Sequence, residues 1–397
     1  MKKSLLAVAL LGAFAASAFA APSVTLYGRI DTSLQYQHLN GDARDLMSAN
    51  ADTFSMEDGV STGSRWGLQG WENIGNAKVG FHLESGFKGD DGTSGQNGRL
   101  FGRAAEVMVS GAYGTLYAGR MNTIVSDGGN LGILGDVSAF PNGYGLTTQK
   151  GSTGSAYDRY DNSIGYQSPK FAGFQLSAMY SFKADTKNSY ESKLSENSGD
   201  TTRYASLGLK WKGAKAVALL AADYTMYGNG GSIDKDKPID VLGIKVVTRE
   251  TEANPVSKLD DGYSIILGGN YDFGVAKVFA KATYFDNQAY ALDSFKVIKK
   301  TGAAALEGWG AELSTAVPAF GGKFLAAVGY RDAKDVDDSD NKFKRWNVGL
   351  GYTYPFSKRT NVYAYADYAQ EKADKAVKGK EYKGSGAQAG FGLVHKF

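Results

Sequence analysis

Residues 387–397 alternate with a period of two. Ala387, Ala389, Phe391, Leu393, His395 and Phe397 fall on one side of an extended chain, and Gln388, Gly390, Gly392, Val394 and Lys396 on the other. A strand that finishes on an uncovered aromatic is poorly placed in water. It suits a sheet whose final strand pairs with its first inside lipid, where every backbone group must be satisfied within the protein. The same alternation runs through residues 24–37 near the other end.

Membrane helices are not an option for this chain. Past the first twenty residues the longest apolar run is roughly seven residues, Ala216–Ala222, whereas a spanning helix needs about 18 or more. A membrane protein without such helices is a closed barrel; the soluble alternative is a large secreted β protein, which composition alone leaves open. Glycine at 52 of 397 residues is about twice the ~7% average, and 24 Tyr with 20 Phe is a heavy aromatic load. The first residues read as a secretory leader, 1–20. Lys2 and Lys3 precede an apolar stretch at 5–16, and Ala18-Phe19-Ala20 supplies small residues for cleavage. The formal charge of +3 becomes nearly neutral once Lys2 and Lys3 are removed. A nucleic-acid binder would need a concentrated basic face, so no nucleic-acid partner is expected. Cysteine is absent, which excludes disulfides and thiolate chemistry.

The periodicity predicts sixteen strands, at 24–37, 64–72, 77–87, 99–110, 114–121, 162–168, 173–183, 202–212, 215–227, 261–273, 275–286, 306–316, 323–332, 344–354, 360–371 and 386–397. Residues 21–397 then form one domain. Turns of a few residues alternate with long polar segments at 38–63, 88–98, 122–161, 184–201, 228–260, 287–305, 332–343 and 372–385. Short turns on one rim and long loops on the other define an outer-membrane barrel. About eight strands fill their own interior, while sixteen leave an aqueous channel. The polar residues on the second face would be costly in a dry core and cost little in a wet lumen.

Segment 122–161 is rich in glycine and mildly apolar. It is expected to fold inward and carry Asp127 and Asp136 into the lumen, the plainer alternative being an exposed loop. Arg65 lies on the face opposite Trp66 and Leu68, and Glu84 opposite Leu83 and Ser85, so both point to the lumen. Arg103 shares parity with the lipid-facing Val107 and Val109, and reaches the lumen only if a bulge or the strand end re-aims it. No cofactor or metal centre is expected. Glycines 129, 132 and 135 do not open a helix after a strand, and His38, His82 and His395 are dispersed. His82 beside Glu84 imitates part of a hydrolase site but lacks a placed serine. Asp335, Asp337, Asp338 and Asp340 could attract a divalent cation, although a solvated loop is the commoner explanation.

Several ordered segments resemble the Gram-negative general porins of the beta-proteobacterial branch. They are Val24-Thr25-Leu26-Tyr27-Gly28 with Asp31; Ser64-Arg65-Trp66-Gly67-Leu68 followed by Glu72-Asn73-Ile74-Gly75; Tyr113-Gly114 with Gly119-Arg120; Asn162-Ser163-Ile164 with Ser168-Pro169; Tyr271-Asp272-Phe273-Gly274; and Gly392–Phe397. Asn73-Ile74 and Trp66 depart from the family pattern. The resemblance implies a sixteen-stranded antiparallel transmembrane β-barrel in the outer membrane, trimeric, with an inward third loop. It implies pore arginines at Arg65, Arg103 and Arg159 and a lumen glutamate at Glu84. It also implies that the strand ending at Phe397 is the signal read by the barrel assembly machinery. The expected function is passive diffusion of small hydrophilic solutes and ions with mild anion preference, among outer-membrane lipid and lipopolysaccharide. The alternative is a barrel serving mainly adhesion or surface display through its long loops.

Overall fold

The computed structural model describes residues 23–47, 50–140, 144, 159–241, 244–289, 294–377 and 380–397. The expected leader lies outside them. The strands are β1 Ser23–Gly41, β2 Asp52–Asp58, β3 Arg65–Ile74, β4 Ala77–Gly86, β5 Ala104–Gly111, β6 Gly114–Asn122, β7 Arg159–Gln167, β8 Phe174–Ser181, β9 Arg203–Lys212 and β10 Ala216–Met226. They continue with β11 Ser232–Val241, β12 Ile244–Ala253, β13 Gly262–Asp272, β14 Lys277–Gln288, β15 Leu306–Ala319, β16 Gly322–Asp335, β17 Lys342–Pro355, β18 Thr360–Val377 and β19 Lys380–Lys396.

All but β11 and β12 join one antiparallel sheet, which closes where β19 pairs with β1. β2 pairs with the far half of β1 and β3 with its near half, so together they form one interrupted stave and the barrel has sixteen. Phe397 sits on the closing seam. Its N–H and carbonyl exchange hydrogen bonds with Gly28 at 3.0 Å each, and its ring lies where a side chain at Gly28 would go.

The outward positions are the ones alternation assigns to lipid. Leu267 is 63% and Leu350 59% exposed, which in water would be a large unfavourable patch and in hydrocarbon is the favoured arrangement. Aromatic side chains stand on the outer wall toward both rims: Trp309, Tyr330 and Trp346 near the long loops, and Tyr271, Phe273, Phe324 and Phe356 near the short turns. Those turns are tight for a stereochemical reason. At Gly75, between β3 and β4, φ is +57°, a conformation glycine adopts without the penalty of a Cβ.

Three expectations change. Residues 99–103 are not strand, since β5 begins at Ala104. Most of 372–385, expected as a loop, is strand, because β18 and β19 extend beyond the aromatic belt as a hairpin. The segment 228–260 holds its own two-stranded ribbon, β11 with β12. In the second and third cases alternation is blurred where both faces meet water, so the period-2 signal fades although pairing continues.

The lumen is not uniformly wet. After β6 the chain turns inward, and Ile124, Leu131, Ile133, Leu134 and Val137 pack on inward-facing Met108, Met179, Tyr204, Leu219 and Ile266. The wall is recessed to receive them. A Cβ at Gly165 would meet Leu131 Cδ1 at 2.6 Å, at Gly208 Ile124 Cγ2 at 2.6 Å, and at Gly268 Val137 Cγ1 at 2.8 Å. Further along, Phe140 and Tyr144 lie over Gly351, with Tyr144 stacked on Tyr363 and Tyr365. At the long-loop end a short helix α1 Asp42–Met47 and another, Val297–Thr301, help to form a second apolar cluster inside the mouth, with Phe285, Phe295, Leu306 and Phe343.

Candidate functional site

The described part of the inward loop faces the wall at Arg29, Ser61 and Thr62 across a common cavity. Arg29 and Arg65 face each other across the β1–β3 ladder. Both reach the hydroxyl of Thr62, Arg29 Nη1 at 3.3 Å and Arg65 Nη2 at 3.1 Å, while Arg65 Nε donates to the Gly63 carbonyl at 2.9 Å. Thr62 belongs to the break between β2 and β3. Asp31 holds that break in place by accepting the N–H groups of Ser61 and Thr62 at 2.8 and 2.7 Å and the Tyr363 hydroxyl at 2.6 Å. An interruption that costs ladder hydrogen bonds therefore also orients two guanidinium groups.

Arg103 joins them. Its parity points to lipid, but it stands one residue before β5 begins, where the chain bends. Its backbone N–H still donates to the Glu84 carbonyl at 3.1 Å, and at this bend its Nε donates to Glu84 Oε1 at 2.7 Å. Arg65 Nη1 lies 3.7 Å from the same oxygen, and the Tyr27 hydroxyl donates to Glu84 Oε2 at 2.9 Å. Arg159, the first residue of β7, pairs with Asn122 at the root of the loop, and it lies with Arg29 and Arg103 within electrostatic range of Arg65. Arg65 and Arg103 thus meet at Glu84, with Arg29 and Arg159 within electrostatic range of Arg65. Arg29 has the inward parity of Tyr27 and Asp31, so the signal was present in the first strand.

The loop carboxylates do not face this wall as simple counter-charges. Asp136 is bound by Lys210 Nζ of β9 at 2.9 Å, and its backbone carbonyl accepts from Asn270 at 2.6 Å. Asp127 interacts electrostatically with Lys281 of β14, which lies 3.5 Å from Glu312. The lysines responsible are on strands remote in sequence from the loop, and nothing local to residues 122–161 announces them. Asp136 and Arg29 do line a common cavity of about 570 Å³, together with Lys277, Lys323 and Lys396 from the short-turn ends of their strands.

A hydrogen-bonded chain ties the loop to the arginine wall. Asn130 donates to Glu106 at 2.5 Å, Glu106 contacts His82 Nδ1 at 2.9 Å, and His82 Nε2 contacts the Tyr27 hydroxyl at 2.6 Å. Both ring nitrogens of His82 are occupied in holding the wall together. A bulge at Gly119–Met121 re-aims Arg120 in the same manner as the strand end re-aims Arg103. Arg120 and Arg99 both bind Asp161, with contacts of 2.5 and 2.9 Å, beside the returning end of the loop. Among the described residues no group of three or more potential metal ligands occurs, so the acids around Asp335 form no such cluster.

A closed sixteen-stranded barrel with an apolar outer wall, a charged lumen and a loop folded inside is a transmembrane channel of the outer-membrane type. Comparison with known proteins agrees. The family model of Gram-negative porins matches residues 7–375, and the chain belongs to that family. It is similar to an outer membrane porin protein of Bordetella pertussis, at 33% identity over 94% of this chain and 95% of the relative. With outer membrane porin protein 32 of Delftia acidovorans it shares 29% identity over 98% and 96% of the two chains. Among solved structures, the anion-selective porin from Comamonas acidovorans superposes with a TM-score of 0.63 at 24% identity, covering 95% of this chain and all of that one. The protein is an outer-membrane porin of a Gram-negative bacterium, a channel for passive diffusion. The comparisons give the display alternative no support.

Proposed function

We propose that the channel prefers anions and that the preference is set at the wall of Arg29, Arg65, Arg103 and Arg159. The observation carrying this reading is the charge balance across the passage. Arg65 and Arg103 share the carboxylate of Glu84, and Arg29 and Arg159 lie within electrostatic range of Arg65, while Asp136 is bound by Lys210 and Asp127 shares Lys281 with Glu312. Fixed charge in a narrow passage between low-dielectric walls determines which ion enters. The solved anion-selective relative supports the same sign. The zero-current potential under a KCl gradient tests it. Wild type is expected to favour chloride and Arg65→Ser/Arg103→Ser/Arg159→Ser to lose that preference. A wild-type channel favouring potassium refutes it.

The channel works as a homotrimer in this reading, without enzymatic activity and after removal of residues 1–20. Support for association comes from the outer wall at β1 and β17–β19, where Ala364 and Gly392 leave a shallow apolar groove between Leu34, Tyr352, Phe391 and Leu393. Flat, small-residue walls of this kind let barrels pack closely. Light scattering in mild detergent that returns only monomers rejects the trimer. Delivery by the barrel assembly machinery, with Phe397 as part of its signal, belongs to the same proposal.

A further inference from the structure

We propose that the cavity shared by the inward loop and the short-turn ends of the strands is a binding site for a small polycarboxylate, a solute whose negative charges are spread along its length. This rests on the anion-preferring channel argued above and adds to it a solute class and a seat. Arg29 reaches the cavity from β1, Lys277 from β14, Lys323 from β16 and Lys396 from β19. Lys396 stands directly opposite Arg29 in the closing ladder, and like charges placed across a ladder are destabilising. The fold holds them there on a surface that also carries Thr353 and Asn361.

The acids nearby leave this group a positive excess. Asp136 is bound by Lys210. Asp272 stands opposite Lys277, but its Oδ1 accepts the Gly274 N–H at 2.8 Å, and the Lys277 ammonium lies over the Phe279 ring, 5.1 Å from its centre. The terminal carboxylate of Phe397 follows Lys396 in the chain and accepts the Gly28 N–H at 3.0 Å. Arg29 with Lys210, Lys277, Lys323 and Lys396 outnumbers these three acids, and the exposed Lys212 and Lys215 at the adjoining β9–β10 turn add to the excess. Among the described residues Lys277, Lys323 and Lys396 form no ion pair. Spacing selects the ligand. In the sheet β14 and β16 are two strands apart, about 10 Å, and β16 and β19 three, about 14 Å. A chloride ion approaches one ammonium at a time. An anion with carboxylates at both ends bridges two, with Thr353 of β17 and Asn361 of β18 as neutral donors between Lys323 and Lys396. The volume of about 570 Å³ falls in the range of small-molecule sites, roughly 300–1,000 Å³.

Single-channel recording in planar bilayers and dilute KCl tests this, with tricarballylate as the probe. Added on the short-turn side, it is expected to interrupt the current of the wild-type channel in discrete events. In Lys277→Gln/Lys323→Gln/Lys396→Gln the events should be rarer on the order of tenfold or more. Asp272→Asn, which keeps an acceptor for Gly274, is expected to make them more frequent. Acetate and inorganic phosphate at equal total charge should give few events, the first carrying one charge and the second holding its charges on one centre. Equal events in wild type and the triple variant overturn the proposal. Equal events with phosphate overturn it too, by making this a site for any compact anion, as do equal events from either side, by moving the block to the arginine wall. Lys323→Gln alone, at an exposed position, gives the same reading in smaller measure if the triple variant does not fold. These substitutions leave Arg29, Arg65, Arg103 and Arg159 in place, so zero-current potentials in plain KCl read the wall separately. A wild-type channel that favours chloride but shows no tricarballylate events rejects the site and leaves the wall standing, whereas one that favours potassium rejects the wall.

Discussion

Replacing Glu84 by glutamine changes the charge of the arginine wall by one unit while keeping the size of the side chain. The amide still accepts from the Tyr27 hydroxyl, 2.9 Å from Glu84 in the native wall, but no longer offsets Arg103 and Arg65 at 2.7 and 3.7 Å. A unit charge about 6 Å from the path of an ion contributes ~0.7 kcal/mol at the dielectric of water, favourable for chloride and unfavourable for potassium by the same amount. The relative preference therefore shifts by ~1.4 kcal/mol, about tenfold in permeability ratio toward chloride. At 1 M salt the screening length falls to about 3 Å, so the shift should nearly vanish there, while roughly half of it should survive near 0.1 M, where the length is about 10 Å. Zero-current potentials of reconstituted Glu84→Gln and wild-type channels, across KCl gradients centred on those two concentrations, measure it. A shift toward potassium, no shift, or a shift independent of salt refutes the assignment of Glu84 to the conduction path.

Gly268→Leu should displace the inward loop, since even a Cβ there would meet Val137 at 2.8 Å; single-channel conductance is expected to change, with destabilisation of about 1–3 kcal/mol for overpacking. His82→Ala leaves buried Glu106 with Asn130 as its remaining partner, and should cost about 1–3 kcal/mol, read as a lower urea midpoint for barrel unfolding. Deleting Phe397 removes two backbone bonds and a ring from the seam with Gly28, so less heat-modifiable protein should accumulate in the membrane; wild-type amounts would contradict this. Burial pushes the Asp42 carboxyl up, but the Lys380 ammonium and the Lys383 N–H outweigh it and hold it below the usual carboxylate range. A depressed folded value adds stability above the ordinary Asp range that is lost as pH falls through the lowered one. Amide exchange protection of helix α1 should therefore persist into mild acid and be weakened in Asp42→Asn at neutral pH, the difference closing as pH falls through the lowered Asp42 value.

Alternation alone defined the wall of this protein. A period of two is a local property, and lipid on one side with water on the other writes it into nearly every spanning segment, from 24–37 to the end at Phe397. It also puts Arg65 and Glu84 on one face, and the two side chains lie 3.7 Å apart across the β3–β4 ladder. Parity could not place Arg103 or Arg120, whose directions depend on a strand end and a bulge, features that break the periodicity carrying the signal. Nor could it show that β2 and β3 share one stave, since the Asp31 bonds that shape the break join residues thirty positions apart. The course of the inward loop was decided furthest from its own sequence. Its apolar residues settle into recesses at Gly165, Gly208, Gly268 and Gly351, and its carboxylates meet Lys210 and Lys281. Those positions are scattered over β7 to β17 and become neighbours only when the sheet closes. The charge balance of the passage is a sum over the closed ring, and no segment of the chain contains it.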